Sequence, residues 1–202
     1  MRKAVTISLF VVIALGWTVL PALSFQAPVV TLERVDVAAI QPFFAKPRVG
    51  FKDANDPGKD LNVGAILSAA YIFNIKNPNK EPVMLDEMTF TTAFDGFDVN
   101  TAIAYEDAWI PGGKTNQVRV VVTNETVATI GSLMVGAPNV ARIQEMKTSA
   151  AELVKKWWEN IGDFSFPITV TNGTALFKDE KGKEIQAAFT GKFGGDKPEE
   201  KK

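Results

Sequence analysis

Four oxygen-bearing side chains crowd one short stretch: Asp53, Asn55, Asp56 and Asp60 in "FKDANDPGKD". Carboxylate and amide oxygens at this density are the ligand type that hard cations such as calcium take. The spacing does not fit an EF-hand loop, because Pro57 interrupts it and no glutamate stands at the twelfth position. A solvated polar loop is the expected reading. Asn124-Glu125-Thr126 and Asn172-Gly173-Thr174 match the acceptor pattern for N-linked glycans, which matters only in a eukaryotic secretory pathway. The second triplet also reads as a glycine-assisted bulge or turn. The other carboxylates are scattered, with no spacing that pairs an acid with a base, and no glycine-rich phosphate loop is present. Histidine and cysteine are absent altogether. Disulfides, thiolate nucleophiles, imidazole bases and the common zinc and copper sites are thereby excluded. The residues designate no catalytic group, no metal ligand set and no cofactor, so a non-enzymatic role is expected.

The chain has 202 residues, 46% of them apolar and 22% charged, with a formal net charge of −1. That length suits one domain with appendages and can bury a real core. The charge balance argues against nucleic acid as a partner, since phosphate binding needs a clustered excess of Lys and Arg. Met1-Arg2-Lys3 is basic, and the run from Ala4 to Leu20 carries neither charge nor proline. Such a run is long for the apolar part of an export signal, about 7–15 residues, and sits near the lower limit of about 17 for a membrane span. Pro21 and the Ala22-Leu23-Ser24 triplet permit cleavage after Ser24. An uncleaved anchor over residues 4–25 is the alternative, giving a single-pass membrane tether. Either fate places the rest of the chain outside the cytoplasm, in the periplasm or on the outer face of the membrane. The expected divisions are therefore an export or anchor segment over 1–24, a domain over 25–193 and a disordered charged tail over 194–202.

The elements of that domain follow from a period of two. Leu67, Ala69, Tyr71, Phe73 and Ile75 form one face of a strand. Val83 and Leu85 share a phase that Met88, Phe90, Thr92 and Phe94 reverse, which predicts a β-bulge at Asp86-Glu87. Asp95-Gly96 reads as a two-residue hairpin turn, and the return strand carries Phe97, Val99, Ile103 and Tyr105. Pro111-Gly112-Gly113 makes the next turn, before Val118, Val120 and Val122. Phe164, Phe166, Ile168 and Val170 begin a further strand, with Pro167 at an edge or terminal position. Asp179-Glu180-Lys181-Gly182 closes a last hairpin that returns over Ile185 to Phe193. The segment Ala137–Ile161 has helical spacing instead, with Pro138 in its first turn and Gly162 as its stop. Val127 to Val135 suggests a shorter helical piece ahead of it. Trp157 and Trp158 cannot both face the core of one helix. One is expected to cap the groove between helix and sheet while the other is exposed, or else both are partly buried. The whole predicts a mainly β protein, an antiparallel β-sandwich or half-open barrel with one helix against it. The loop Gln41–Asp60 is long, as functional or mobile loops are.

One corner draws the strands together. "FNIKNPN" ends a strand, "PVMLDEMTFTTAFDG" follows, and then comes "DAWIPGGKTNQVRVVV". The distinctive residues are Asn77, Pro78 and Asn79, and later Ile110, Pro111, Gly112 and Thr115. This ordered series resembles the water stress and hypersensitive response (WHy) domain of the type 2 late embryogenesis abundant proteins, and the closing strands Phe166–Val170 and Phe189–Phe193 do so as well. The resemblance implies a fibronectin type III-like antiparallel β-sandwich with one helix. It also implies a non-enzymatic role in desiccation or general stress tolerance, exerted on client proteins or a membrane surface. An envelope adaptor that binds a protein or lipid through the Gln41–Asp60 loop and a helix groove is the rival expectation. Asn77 and Asn79 are read as architectural. Pro78 holds Asn77 in extended geometry, Asn79 turns the chain, and Pro82 starts the next strand where a missing N–H is harmless.

Overall fold

The computed structural model describes residues 25–43 and 64–195. The segment expected to serve as export signal or anchor, the acidic cluster at 53–60 and the tail beyond residue 195 lie outside the described residues. Among the described residues, seven strands make two antiparallel sheets. In the first, β1 (Val29–Ile40), β2 (Ile66–Lys76) and β5 (Thr115–Glu125) lie in the order β1-β2-β5. In the second, β3 (Val83–Phe94), β4 (Phe97–Ile110), β6 (Ile168–Asp179) and β7 (Glu184–Phe193) lie in the order β4-β3-β6-β7. The mainly β sandwich of fibronectin type III kind is thus the fold. Its core joins Leu67, Tyr71, Phe73 and Ile75 of β2 to Leu85, Met88, Phe90 and Phe94 of β3, all fully buried. Phe73 meets Phe90 and Phe189 edge to face, with ring centroids 5.1 and 5.4 Å apart. Such pairs contribute about 0.5–1.5 kcal/mol each beyond the area they bury.

Two irregularities decide which side chains face in. The expected bulge on β3 is present against β6, where Leu85 pairs with Phe177 and Glu87 with Leu176, so Asp86 is the extra residue. It lets Leu85 and Met88 both point inward. Against β4 the register also shifts there, with the extra residue on β4 between Tyr105 and Ala108. A second one is on β4, where Thr92 pairs with Asn100 but Ala93 with Asp98, so Val99 is the extra residue. A one-residue slip turns the following side chains to the other face. Phe97 and Val99 are consequently buried while Ile103 and Tyr105 stand outside. The inward places beyond the bulge go to Asn100 and the small Ala102, Ala104 and Ala108. Asn100 gains from this by donating through Nδ2 across the sandwich to Thr123 O (3.2 Å) and Asn124 Oδ1 (3.1 Å).

The turns form as their residue types dictate. Asp95 (φ 51°) and Gly96 (φ 77°) are both left-handed, as a two-residue primed turn requires. Asn172 (φ 52°) and Gly173 sit at a register shift on β6, and Pro167 directly precedes that strand. In the first sequon, Asn124 is buried and bonded to Asn100, so the folded chain offers no acceptor there.

The helical region departs from the one long helix expected over Ala137–Ile161, while the shorter piece expected over Val127 to Val135 is present. Three helices occupy it: α1 (Thr126–Val135), α2 (Ala137–Glu145) and α3 (Ala150–Asn160). Pro138 does lie in the first turn of α2. The break before α3 comes from Lys147, left-handed at φ 54°, and from Ser149, whose hydroxyl accepts from Glu152 N while the Glu152 carboxylate accepts from Ser149 N. This reciprocal cap starts a new helix. Nor is Gly162 the stop: α3 runs into a single 3₁₀ turn (Ile161–Asp163), and Phe164 takes the left-handed position at φ 46°. Both tryptophans are buried. Adjacent residues diverge on a helix, and both can be covered here because α3 packs against α1 as well as the sandwich end. Among the described residues no helix is long and apolar enough to cross a membrane.

Candidate functional site

The ordered motif residues converge on one end of the sandwich. β2 ends at Lys76, opposite Thr115 at the start of β5, so the chain must turn where Asn77 stands. Asn77 is fully buried, and every polar atom of its side chain is engaged. Nδ2 donates to Glu81 O (2.9 Å) and Ile110 O (3.0 Å). Oδ1 accepts from Asn79 N and Asn79 Nδ2, both at 2.9 Å. Its backbone N–H donates to Lys114 O. One residue therefore ties the end of β2 to the starts of β3 and β5 and the end of β4.

Asn79 carries the tie to the amino-terminal strand. Its Oδ1 accepts from Gln26 N and its Nδ2 donates to Gln26 O, each at 2.8 Å. The side-chain amide thus imitates a neighbouring strand residue just ahead of β1. Gly113, left-handed at φ 66°, donates its N–H to Asn79 O, and Lys114 N closes the turn onto Pro111 O. Gly112 is needed for a different reason: a Cβ there would sit 1.8 Å from Lys80 O, a backbone atom. Pro78 and Pro111 are exposed on the outside of the two turns, and Thr115 is exposed at the strand start. The structure therefore brings Asn77, Pro78, Asn79, Ile110, Pro111, Gly112 and Thr115 into one interlocked corner. Gln26 is the member that sequence reasoning missed, because it lies 53 positions from Asn79 and contributes only backbone.

Beside the corner is an open cleft of about 400 Å³ with Phe25, Pro78 and Pro82 for apolar walls and Lys80, Glu81, Glu180 and Lys181 at its charged rim. Lys178, next in sequence to the cleft-lining Asp179, bonds Asp86 at 2.9 Å and reaches Glu184 at 3.6 Å. The Asp86 hydrogen bond raises the Lys178 pKa above its ordinary value, with desolvation opposing it. Apolar walls with mixed rim charges suit non-covalent contact with a peptide or a zwitterionic surface. Among the described residues no group of three or more acidic side chains is placed to hold a metal ion.

At the opposite end, a latch that nothing in the sequence singled out holds the helices. Asp95 Oδ2 accepts from Trp157 Nε1 (2.9 Å) and Lys156 Nζ (3.1 Å). Arg142 donates to Asp95 O and Gly96 O and lies 4.3 Å over the Phe97 ring. Within the sandwich, Tyr71 is sealed off and its hydroxyl has no well-formed hydrogen bond. Burial drives its ionisation far upward, which the Thr92 hydroxyl beside it only partly counters.

No protein family model matches the chain, and no curated protein does. Among solved structures it is similar to the solution structure of AT1g01470 from Arabidopsis thaliana, at 8% identity and TM-score 0.49, covering 84% of this chain and 81% of that one. Northeast Structural Genomics Consortium target SoR45 gives 10% identity and TM-score 0.43 over 83% of this chain and 86% of that one. A protein from Archaeoglobus fulgidus gives 9% and 0.37 over 83% of this chain and all of that one. Scores at this level bear on neither family nor activity.

Proposed function

We propose that the chain is a non-enzymatic protective protein of the cell envelope, of the WHy type, which shields other proteins or a membrane surface under drying through non-covalent contacts. The observation that carries this reading is a set of large apolar side chains held outward on a rigid frame. Tyr105 is 76% exposed on β4 and Val135 87% exposed on α1, and Ile103, Trp109 and Met134 are exposed beside them. A sandwich stiffened by the corner and the latch presents these groups without unfolding. Exposed apolar patches are where soluble proteins meet partners or membranes. The residues ahead of Phe25 supply export or a tether, which locates the shield outside the cytoplasm.

The test is aggregation of a labile enzyme dried or heated with the purified full chain in mild detergent. Suppressed aggregation at equimolar protein is the expected result. No suppression even in excess overturns the reading. The cleft beside the corner favours a second reading, an envelope adaptor for one protein or lipid. Affinity capture of the full chain separates the two: one stoichiometric partner speaks for the adaptor, and a spread of clients speaks for the shield.

A further inference from the structure

The geometry points to β4 as an edge that accepts an extended strand from a partner protein, one with apolar residues at alternate positions and a Lys or Arg among them. β4 is the outermost strand of its sheet, and among the described residues no strand pairs with its other side. Over Asn100–Tyr105 its pairing with β3 is regular and unbroken, so the backbone groups facing away are evenly presented. That length matches the usual strand of about 5–6 residues. The neighbouring edge, β5, approaches it through two asparagines: Asn100 reaches Thr123 O, and Asn116 Nδ2 reaches Trp109 O at 2.8 Å. Thr101–Ala108 lie between these two links.

Two observations fix the occupant's chemistry. The bulge at Val99 sets Ile103 and Tyr105 outward at period two, 58% and 76% exposed, and Trp109, past the register shift between Tyr105 and Ala108, is 47% exposed. An added antiparallel strand would place its own apolar side chains against them, the contact that stabilises paired strands. β4 also carries Asp98, Glu106 and Asp107 and no basic residue. Asp107 is exposed two residues past Tyr105, inside the register shift, so it suits a cation on the incoming strand. A second copy of β4 brings carboxylates toward carboxylates, which disfavours self-pairing. An edge of this kind captures strands bared in an unfolding client, and in that respect the inference deepens the shielding reading and rests on it for the partner's identity.

The test uses the full chain and a labelled peptide of about ten residues alternating valine with threonine and lysine. Binding is read by fluorescence anisotropy and located by amide hydrogen exchange. The expected result is slowed exchange at Thr101–Tyr105, with affinity about tenfold weaker for Ile103→Lys combined with Tyr105→Lys. Asp107→Lys should weaken the basic peptide about threefold. A peptide N-methylated on alternate amides should not bind. Equal binding by the methylated peptide, unchanged affinity in the Lys variants, protection confined to the corner cleft or α1, or no binding at all overturns the proposal. So does a dimer of the chain that Tyr105→Lys dissolves, which would make the occupant a second copy. Client shielding that persists in the Lys variants removes this edge and leaves the protective reading standing. Peptide capture without client shielding does the reverse.

Discussion

At Asn77 a single amide holds four hydrogen bonds in a site without solvent. Asn77→Ala strands two carbonyls and the Asn79 amide, and a buried group left unpaired costs about 1–3 kcal/mol. Destabilisation of about 2–4 kcal/mol in chemical unfolding is the expected outcome. Asn77→Asp sharpens the test because its shape is retained. A second oxygen then faces Glu81 O and Ile110 O, so the loss should be at least as large. Stability equal to that of the wild type in both variants would show that the corner is held by other means. Gly112→Ala should destabilise by about 1–3 kcal/mol through its collision with the Lys80 carbonyl. At this scale the sequence was partly legible. The residue types at the corner announced a turn, since proline and asparagine have few other uses between two strands. The partners Gln26, Glu81 and Ile110 were not legible, because they offer backbone atoms and any residue has those.

The elements were read best where one period rules. The strands follow alternation, and the bulge on β3 is visible because Leu85 and Met88 cannot otherwise share a face. The bulge on β4 is hidden: Phe97, Val99, Ile103 and Tyr105 keep one parity, and only the bond from Asn100 to β5 explains the slip. The helices were merged because amphipathic spacing continues across the break, although Ser149-Ala150-Ala151-Glu152 spells the cap that divides them. That cap is sensitive to acid. Hydrogen bonds from Ser149 and Thr148 lower the Glu152 pKa in the fold, so the native state favours the carboxylate. Its stabilising contribution is complete above the ordinary glutamate value and is lost as pH falls through the lower native value. Thermal melts taken toward about pH 3 should show a weakening that Glu152→Gln removes. The latch gives a second test at this scale. Asp95→Ala deletes the acceptor of both Trp157 and Lys156, and a loss of about 1–3 kcal/mol with a shifted tryptophan emission is expected. Unaltered emission would mean that the helices dock through Phe94, Phe97 and Phe166 alone.

Over the whole molecule, the two ends have different jobs in the same frame. The corner fastens four strand ends and the latch seats α2 and α3, while the apolar groups used for contact sit on β4 and α1. Substitutions at the corner should therefore change stability far more than client protection, whereas Ile103→Lys should do the opposite. Measuring melting temperature and aggregation suppression on the same two variants checks this. Both properties falling together in each variant would mean that protection needs the fold as a unit.

The path of the chain has one mechanical consequence. Gln26 enters beside the corner, and Phe193 leaves beside the helices, where it pairs with Ile168. Pulling these points apart loads β1 against β2, and β7 against β6, along their lengths. All the ladder bonds of a strand then resist at once instead of opening one after another like a zip. The paired bonds from Asn79 to Gln26 stand first in that line and take the strain before β1 slides.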